Sequence, residues 1–358
     1  MKRIYQQNNT IQRVIGLDII RSFAIFSVIA GHFFYLHTSF RSEIFSGTSM
    51  FLQAVIAPLF GACGIPFFLL LTGYFNCHRK IEKTYFHKIW KVLFAYLLFS
   101  IISIVFRNLY LNEPFSIIHS IDMILRFNVI PYAWYIEMWI GLFLLTPFLN
   151  IMYHGIQNKT HKQILIGILL FLTALPSFLN RYGLHLIPAY WQTCYPLTLY
   201  FIGVYIYEFK PKIRAIYGLL IIIVICLINP IFNLLFIHNY TLIQITGDSS
   251  GLFGFAIATT MFLLLYQVEI SSALSKIIFV KTSNLSLDMF LCCWIFDAIF
   301  YNYFKSHYFV SQGQFGKYFF VVVSLVFICS FAVAWLKEAI TKTIPALINK
   351  IMKKPVVS

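Results

Sequence analysis

The sequence has too few charged residues for a soluble protein of its length. Only 11% of its 358 residues are Asp, Glu, Lys or Arg, and 60% are hydrophobic. Soluble domains usually carry about 25% charged residues. Because so little polar surface is available, a lipid bilayer must solvate the outside. Apolar runs recur from Ile15 to Ile344 without a polar block of domain size, which predicts one membrane domain (15–344) between an N-terminal tail (1–14) and a C-terminal tail (345–358).

The seven cysteines lack the Cys-x-x-Cys spacing of zinc sites, and most of them fall inside apolar runs. Neither a metal site nor a disulfide framework is therefore expected. A cleavable signal peptide is not expected either, because the first apolar stretch is too long, contains charges and lacks a small-residue cleavage site. The sequence also shows no internal repeat, which weakly disfavours a transporter built from inverted repeats.

Acidic residues are scarce: 12 Asp and Glu face 27 Lys and Arg, for a net charge of +15. An excess of this kind can indicate nucleic-acid binding. Here the basic residues collect in the segments between apolar runs, as expected for cytoplasmic loops of membrane proteins. We therefore expect no nucleic-acid partner, and we expect the aromatic residues, 19% of the chain, to serve lipid-facing surfaces and interfacial belts.

A membrane span needs about 20 largely apolar residues. The sequence predicts ten such spans, at 15–36, 51–75, 89–107, 134–153, 163–180, 191–208, 214–237, 251–268, 284–304 and 317–340. The shorter stretch 115–130 contains Asp122 and Arg126, and we expect it to be an amphipathic segment on the outer surface.

The distribution of positive charge tests these spans and orients them. With a cytoplasmic N-terminus, 20 Lys and Arg fall on the inside and 6 on the outside, while Arg21 lies within a span. Since the bias alternates at each predicted crossing, it supports an all-α bundle of about ten transmembrane helices with both termini in the cytoplasm.

The first span contains three ionisable residues, Asp18, Arg21 and His32. Ionisable groups inside spans are costly and are functional candidates by default. Arg21 and His32 are separated by roughly 20° around the helix and roughly 16 Å along it, and Asp18 is on the same face. That face points into the bundle, with Arg21 toward the inner side and His32 toward the outer side. Two alternatives are an anchoring ion pair between Asp18 and Arg21 and a histidine used for packing.

Four segments form a recognisable pattern. They are Gly16-Leu-Asp-Ile-Ile-Arg21 with His32 after ten further residues; Pro66-Phe-Phe-Leu-Leu-Leu-Thr-Gly-Tyr74; the basic pair of Lys88-Ile-Trp-Lys91; and Trp134-Tyr135 followed by Gly141-Leu-Phe-Leu-Leu-Thr-Pro147. In this order they resemble the signature of the acyltransferase-3 family of bacterial membrane acyltransferases. The ten-span length also agrees, so the resemblance covers nearly the whole chain.

The chain departs from the family pattern in two places. Lys88 and Lys91 stand where arginines are usual, which keeps the charge but loses the planar guanidinium fork. In the ninth span, Cys293 takes the place of a histidine found in many members, so any role of that histidine is absent here. Asp288 is unusual in the same segment, and the roles of Asp288 and Asp297 stay open.

The resemblance implies transfer of an acyl group, commonly acetyl from acetyl-CoA, to sugar hydroxyls of surface polysaccharides, lipopolysaccharides or lipid-linked precursors at a bacterial cell membrane. His32 suits the general base, since histidine titrates near neutrality; a transient acyl carrier is the alternative. Glu137 is the predicted carboxylate partner of His32. Trp134 and Tyr135 are predicted to bind substrate. Near the outer ends of the spans, the candidates for stacking on sugar rings are Tyr132, Trp134, Tyr190 and Trp191, although an interfacial aromatic belt is the simpler explanation.

The phosphates of CoA are negatively charged, so we expect basic side chains to bind them. Arg79, Lys88 and Lys91 are the predicted cofactor-binding residues, with ordinary positive-inside charge as the alternative. Arg21 is predicted to meet the pantetheine or phosphate arm at the inner mouth, with Asp18 holding its geometry. No metal cofactor is predicted.

Two further functions stay open. One is a transporter or flippase of glycan precursors that uses Asp18, Arg21 and His32 as a proton relay. The other is a non-catalytic membrane sensor. The sequence leaves open the acceptor sugar, the size of the acyl group and the oligomeric state.

Overall fold

The computed structural model describes residues 13–180, 185–236, 242 and 250–352. The described residues are helical throughout, with connecting turns and no strand. The predicted all-α fold is therefore confirmed. Residues 1–12 of the predicted N-terminal tail and residues 353–358 of the predicted C-terminal tail lie outside the described residues.

Fifteen α-helices form the described chain. They are α1 (Ile15–Tyr35), α2 (Gly47–Gly61), α3 (Gly64–Asn76), α4 (Lys83–Phe86), α5 (Ile89–Tyr110), α6 (Ile117–Leu125), α7 (Trp134–Gly155), α8 (Lys159–Thr173), α9 (Pro176–Leu179), α10 (Tyr195–Phe209), α11 (Ala215–Phe236), α12 (Leu252–Leu265), α13 (Ala273–Tyr308), α14 (Gln312–Phe315) and α15 (Phe319–Met352). Short 3₁₀ turns at Tyr190–Cys194 and Gly316–Tyr318 lead into α10 and α15.

Eight helical segments in the described part of the chain are long and apolar enough to cross a membrane. They correspond to eight of the ten predicted spans, and the chain is a polytopic helical membrane protein. The predicted spans 191–208 and 251–268 are shorter, because α10 has 15 residues and α12 has 14. A 15-residue helix is about 22 Å long, less than the roughly 30 Å of bilayer hydrocarbon. Most of α10 is buried, so neighbouring helices rather than lipid surround it.

Three other boundaries differ from the sequence prediction. Helix α13 has 36 residues and extends at both ends beyond the predicted span 284–304. Helix α15 continues to Met352, past the predicted domain boundary at 344. The predicted amphipathic segment 115–130 contains only the nine-residue helix α6, in which no residue is fully buried.

Helix α1 lies at the centre of the bundle. It packs against α2, α3, α12, α13 and α15. Its first half, including Leu17 and Ile20, belongs to one hydrophobic cluster, and its second half, including Ile25 and Phe33, belongs to another. The polar side chains of α1 are therefore surrounded by protein rather than lipid, as predicted from their shared face.

Helices α3 and α10 cross through a pair of glycines. A methyl group on Gly73 would overlap the Tyr200 carbonyl, and one on Gly203 would overlap the Leu70 carbonyl. Membrane helices are held together by close packing of this kind, which small residues permit. The contact fixes α3, the helix that follows the α2–α3 break and faces α1.

The outer helices present apolar side chains to the surroundings. Phe94 and Ile101 on α5 and Leu219 and Ile223 on α11 are all exposed. A row of large exposed apolar groups is unfavourable in water, so these faces are the lipid-contacting surface of the bundle.

Candidate active site

A buried histidine–aspartate pair joins α1 to α13. His32 Nδ1 lies 2.7 Å from Asp297 Oδ2. Both residues are buried, and Asp297 has no exposed surface. The carboxylate fixes the imidazole proton on Nδ1, so the lone pair of the neutral ring is on Nε2. His32 also lines a cavity.

Two further side chains share the Asp297 carboxylate. The Tyr132 hydroxyl donates to Asp297 Oδ2 at 2.8 Å, and its ring packs against the His32 ring with centroids 3.9 Å apart. His37 Nε2 is 2.6 Å from the Tyr132 oxygen and 3.5 Å from Asp297 Oδ2. Since the single Tyr132 proton goes to Asp297, His37 donates to the Tyr132 oxygen. The ring of His37 stacks on Tyr301 at 4.4 Å.

The carboxylate in contact with His32 is therefore Asp297 and not Glu137, the partner predicted from sequence. Glu137 is exposed in the first turn of α7 and lines neither of the cavities described below. One sequence signal pointed to Asp297: it is an ionisable residue inside the predicted ninth span, where such groups are rare. Its partner was not readable, because 265 residues separate the two positions. His37 and Tyr132 were also missed as members of this network.

Arg21 and Asp18 do not form the ion pair that the sequence left open as an alternative. Asp18 accepts two hydrogen bonds from the Arg13 guanidinium, at 2.6 and 2.7 Å. Arg21 donates to the Ser283 hydroxyl at 3.4 Å, and its guanidinium lies 5.0 Å from the centroid of the Phe75 ring. Among the described residues no carboxylate forms an ion pair with Arg21. Asp18 thus links Arg13 to the start of α1 and does not hold the geometry of Arg21.

Arg21 and His32 line two adjoining cavities. The Arg21 cavity has a volume of about 350 Å³ and is bounded by α1, α3, α5, α7 and α13. The His32 cavity has a volume of about 190 Å³ and lies toward the other end of α1. Tyr135 and Phe290 line both. The shared polar face of α1 therefore connects two compartments rather than one site.

The predicted cofactor-binding residues are split between two places. Arg79 lines a depression of about 450 Å³ together with His78, Lys80 and His154. Asn150 fixes this loop, since its side-chain amide donates to the Arg79 carbonyl at 2.9 Å. This depression begins one residue after Asn76, which lines the Arg21 cavity.

Lys88 and Lys91, by contrast, are exposed at the start of α5. They line neither the Arg21 cavity nor the Arg79 depression, although Val92, the neighbour of Lys91, lines the Arg21 cavity. The lysines are thus beside the cavity mouth rather than in it.

Only some of the aromatic residues predicted to bind the acceptor line the His32 cavity. Trp134 is half-exposed and lines the His32 cavity, next to the buried Tyr135. Tyr190 and Trp191 are exposed in the 3₁₀ turn before α10 and do not line that cavity. Arg41, which the sequence did not single out, is at the cavity rim, with its guanidinium 4.5 Å from the Tyr35 ring centroid.

Cys293 lies beside the histidine–aspartate pair. One ligand atom each from His32, Cys293 and Asp297 lie within 4.8 Å of one another, a set that zinc accepts in proteins. The thiol donates to the Phe290 carbonyl at 3.2 Å, and His32 Nδ1 is already bound to Asp297. These contacts already occupy the thiol proton and His32 Nδ1, which suits a proton-transfer pair.

Asp288, the other unassigned acid of α13, has a structural partner. It accepts a hydrogen bond from Lys337 of α15 at 2.6 Å. Lys281 and Glu338 form a second ion pair between the same two helices. Asp288 therefore links α13 to α15 and does not face the cavities.

One family model matches the chain. It is Acyl_transf_3, described as an acyltransferase domain, and it covers residues 14–336. The match includes α1 and α13, and hence both members of the His32–Asp297 pair. Neither a curated protein nor a solved structure matches the chain.

Proposed function

The chain belongs to the acyltransferase-3 family, and on that premise we propose that it transfers an acetyl or other short acyl group from cytosolic acyl-CoA to a sugar hydroxyl. The acceptor is a surface polysaccharide or a lipid-linked glycan. The protein resides in the cell (plasma or inner) membrane of a bacterium, with both termini in the cytoplasm.

The observation that carries this proposal is the His32–Asp297 pair at a cavity wall. Acyl transfer to a hydroxyl needs a base for the hydroxyl proton. The contact of 2.7 Å between His32 Nδ1 and Asp297 leaves Nε2 for that proton. As the proton arrives, the Asp297 carboxylate stabilises the imidazolium that forms, as the aspartate of a serine protease does.

The Arg21 cavity suits the donor. Its one charged wall residue is a cation without an ion-pair partner among the described residues, which favours a phosphate or a polarised carbonyl. The Arg79 depression begins next to it and supplies further positive charge for the phosphates of CoA. If the pantetheine arm of acyl-CoA lies along α1 from the Arg21 cavity, its thioester points toward His32.

The His32 cavity suits the acceptor. Trp134 offers an aromatic face at the rim, and such faces stack on sugar rings. Arg41 at the same rim adds a hydrogen-bond donor. A hydroxyl held between these groups reaches His32 Nε2 from the side opposite to the donor.

The first test replaces the proposed base. We expect His32→Ala to lower transfer of radiolabelled acetyl from acetyl-CoA to membrane glycans by about 10²- to 10⁴-fold, which is the usual contribution of a positioned general base. His161→Ala is the matched control, since His161 is exposed on α8. Near-normal transfer by His32→Ala at equal expression would contradict the assignment.

The transporter that the sequence left open uses the same ionisable groups. The chain of hydrogen bonds from His37 through Tyr132 to Asp297 and His32 resembles a proton relay. Family membership favours the acyltransferase. Vesicle uptake of a glycan precursor without acyl-CoA, together with no acyl transfer, would favour the transporter.

A further inference from the structure

Two aromatic side chains lie where the proposed donor and acceptor cavities adjoin. Tyr135 of α7 and Phe290 of α13 are the residues common to both cavity walls. Their ring centroids are 5.5 Å apart, with planes inclined at 67°. The edge of one ring therefore meets the face of the other, the favourable geometry of an aromatic pair.

Both rings are held firmly in place. Tyr135 and Phe290 are buried. Tyr135 also contacts Phe68 of α3, with centroids 6.1 Å apart. Phe290 lies one helical turn before Cys293 and two turns before Asp297, so the same helix positions the wall and the partner of the base. Side chains packed in this way do not move apart unless the neighbouring side chains also rearrange.

We propose that Tyr135 and Phe290 form a size filter for the acyl group. This inference rests on the proposed function. The thioester of a donor held at Arg21 reaches His32 only where the two cavities adjoin, so its acyl group must lie against these two rings. The rings then admit an acetyl group and exclude longer chains.

The chemistry at the filter balances without a further reactant. The acceptor oxygen forms a bond to the acyl carbon while its proton passes to His32 Nε2. The carbon–sulfur bond of the thioester then breaks, and the thiolate receives the proton from His32. The products are the ester and the free thiol of CoA, and the acyl chain stays at the rings throughout.

The test compares donors of increasing chain length. Membranes containing the full-length protein are supplied with radiolabelled acetyl-, propionyl-, butyryl- and hexanoyl-CoA, and label in the endogenous glycan is measured. For Phe290→Ala we expect the butyryl-to-acetyl ratio of kcat/KM to rise at least about tenfold, the lower end of what one methylene is worth in an apolar pocket. Phe290→Leu, a milder change that keeps an apolar side chain, should raise the ratio in the same direction.

The matched control is Phe296→Ala. Phe296 is partly buried on the same helix but lines neither cavity. This variant should keep the wild-type ratio. A folded Phe290→Leu or Phe290→Ala protein with the wild-type ratio would overturn the filter while leaving acyl transfer intact. A wild-type protein that transfers none of the four acyl groups would instead overturn the proposed function and the filter with it.

Discussion

The Asp297 carboxylate is fully buried and is shared by His32, Tyr132 and, at a longer distance, His37. A buried charge is tolerated only when it is paired and hydrogen-bonded. Oδ2 meets that need through His32 and Tyr132, with His37 Nε2 at 3.5 Å, whereas Oδ1 has no hydrogen-bond partner among the described residues. At the scale of single residues, the proposed site therefore depends on one carboxylate that positions the proposed base.

We expect Asp297→Asn to lower kcat for acyl transfer by about 10²-fold or more, because the amide neither fixes the His32 tautomer nor stabilises the imidazolium. The apparent KM for acetyl-CoA should stay near the wild-type value, since Asp297 does not line the donor cavity. Steady-state kinetics on purified protein separate the two constants. A rise in KM with unchanged kcat would show that Asp297 acts on donor binding instead.

Glu137→Gln decides between the carboxylate chosen from sequence and the one found in the structure. Glu137 is exposed and remote from both cavities, so we expect kcat and KM to remain close to wild type. The measurement is the same kinetic assay. A large fall in kcat for Glu137→Gln with a normal Asp297→Asn enzyme would reverse the assignment.

Arg21→Gln should weaken donor binding. The guanidinium is the cation of its cavity, and a hydrogen bond to a charged group contributes about 1.5–3 kcal/mol. The apparent KM for acetyl-CoA should therefore rise about tenfold to a hundredfold. Lys88→Ala with Lys91→Ala provides the comparison, since these lysines line no cavity described here and should change KM less. An equal rise in both variants would assign the donor phosphates to the start of α5.

Sequence reasoning found the residues of α1 more easily than their partners. Arg21 and His32 stand out because ionisable groups inside a span are rare. The partners depend on three-dimensional contacts that spacing does not encode. Asp18 illustrates this, because helical spacing favours Arg21 as its partner, whereas Arg13, just before the helix, folds back onto it.

At the scale of helices, the α3–α10 crossing depends on two glycines. Gly203→Ala places a methyl group against the Leu70 carbonyl, so the helices must separate. We expect a loss of about 1–3 kcal/mol, the usual cost of overpacking. Gly141→Ala is the control, because a methyl group there meets nothing within 4 Å. Thermal unfolding in detergent measures both, and equal melting temperatures would show that the crossing adapts without cost.

The ion pair between Asp288 and Lys337 should stabilise the α13–α15 contact, and the effects of replacing its two partners should not be additive. Lys337→Met alone leaves a largely buried carboxylate unpaired, which costs about 3–5 kcal/mol in such pairs. Adding Asp288→Leu should recover most of that loss, because replacing both partners is often nearly neutral. Unfolding of the single and double variants in detergent gives the comparison. Additive losses would show that the pair contributes no coupling.

Hydropathy predicted most helices well because lipid imposes a single requirement, a long apolar helix, on each complete crossing. It was less successful for α10 and α12, which are shorter than their predicted spans. A helix enclosed by other helices does not need to match the thickness of the bilayer. The break between α2 and α3, at Ala62 and Cys63, was not visible in hydropathy either, since both sides are apolar.

At the scale of the whole molecule, the proposed function requires the two cavities to open toward opposite sides of the membrane. Ser42 lies near the His32 end of α1, and Lys80 lies in the loop after α3; both are exposed. In a variant without native cysteines, Ser42→Cys should react with a membrane-impermeant thiol reagent in intact cells. Lys80→Cys should react only after permeabilisation. The opposite pattern would invert the topology and exclude a cytosolic donor at Arg21.

The fold class and the family could be predicted from sequence, whereas the two-compartment site could not. Composition and charge alternation are visible along the whole chain, because every span is a long apolar run and every cytoplasmic loop is rich in Lys and Arg. The wall between the cavities depends instead on Tyr135 and Phe290, which sequence alone gives no reason to place in contact. Tyr135 was predicted to bind substrate, but its contact with Phe290 emerges only from the three-dimensional structure.

The distance along the chain between His32 and Asp297 also bears on how the protein is made. The first helix leaves the ribosome with its histidine in place, and the aspartate follows 265 residues later. During that interval the nascent protein contains the proposed base without its orienting partner. We therefore expect activity to begin only when α13 has been inserted and docked, and a chain terminated before Asp297 to carry the most recognisable motif of the family without transferring an acyl group.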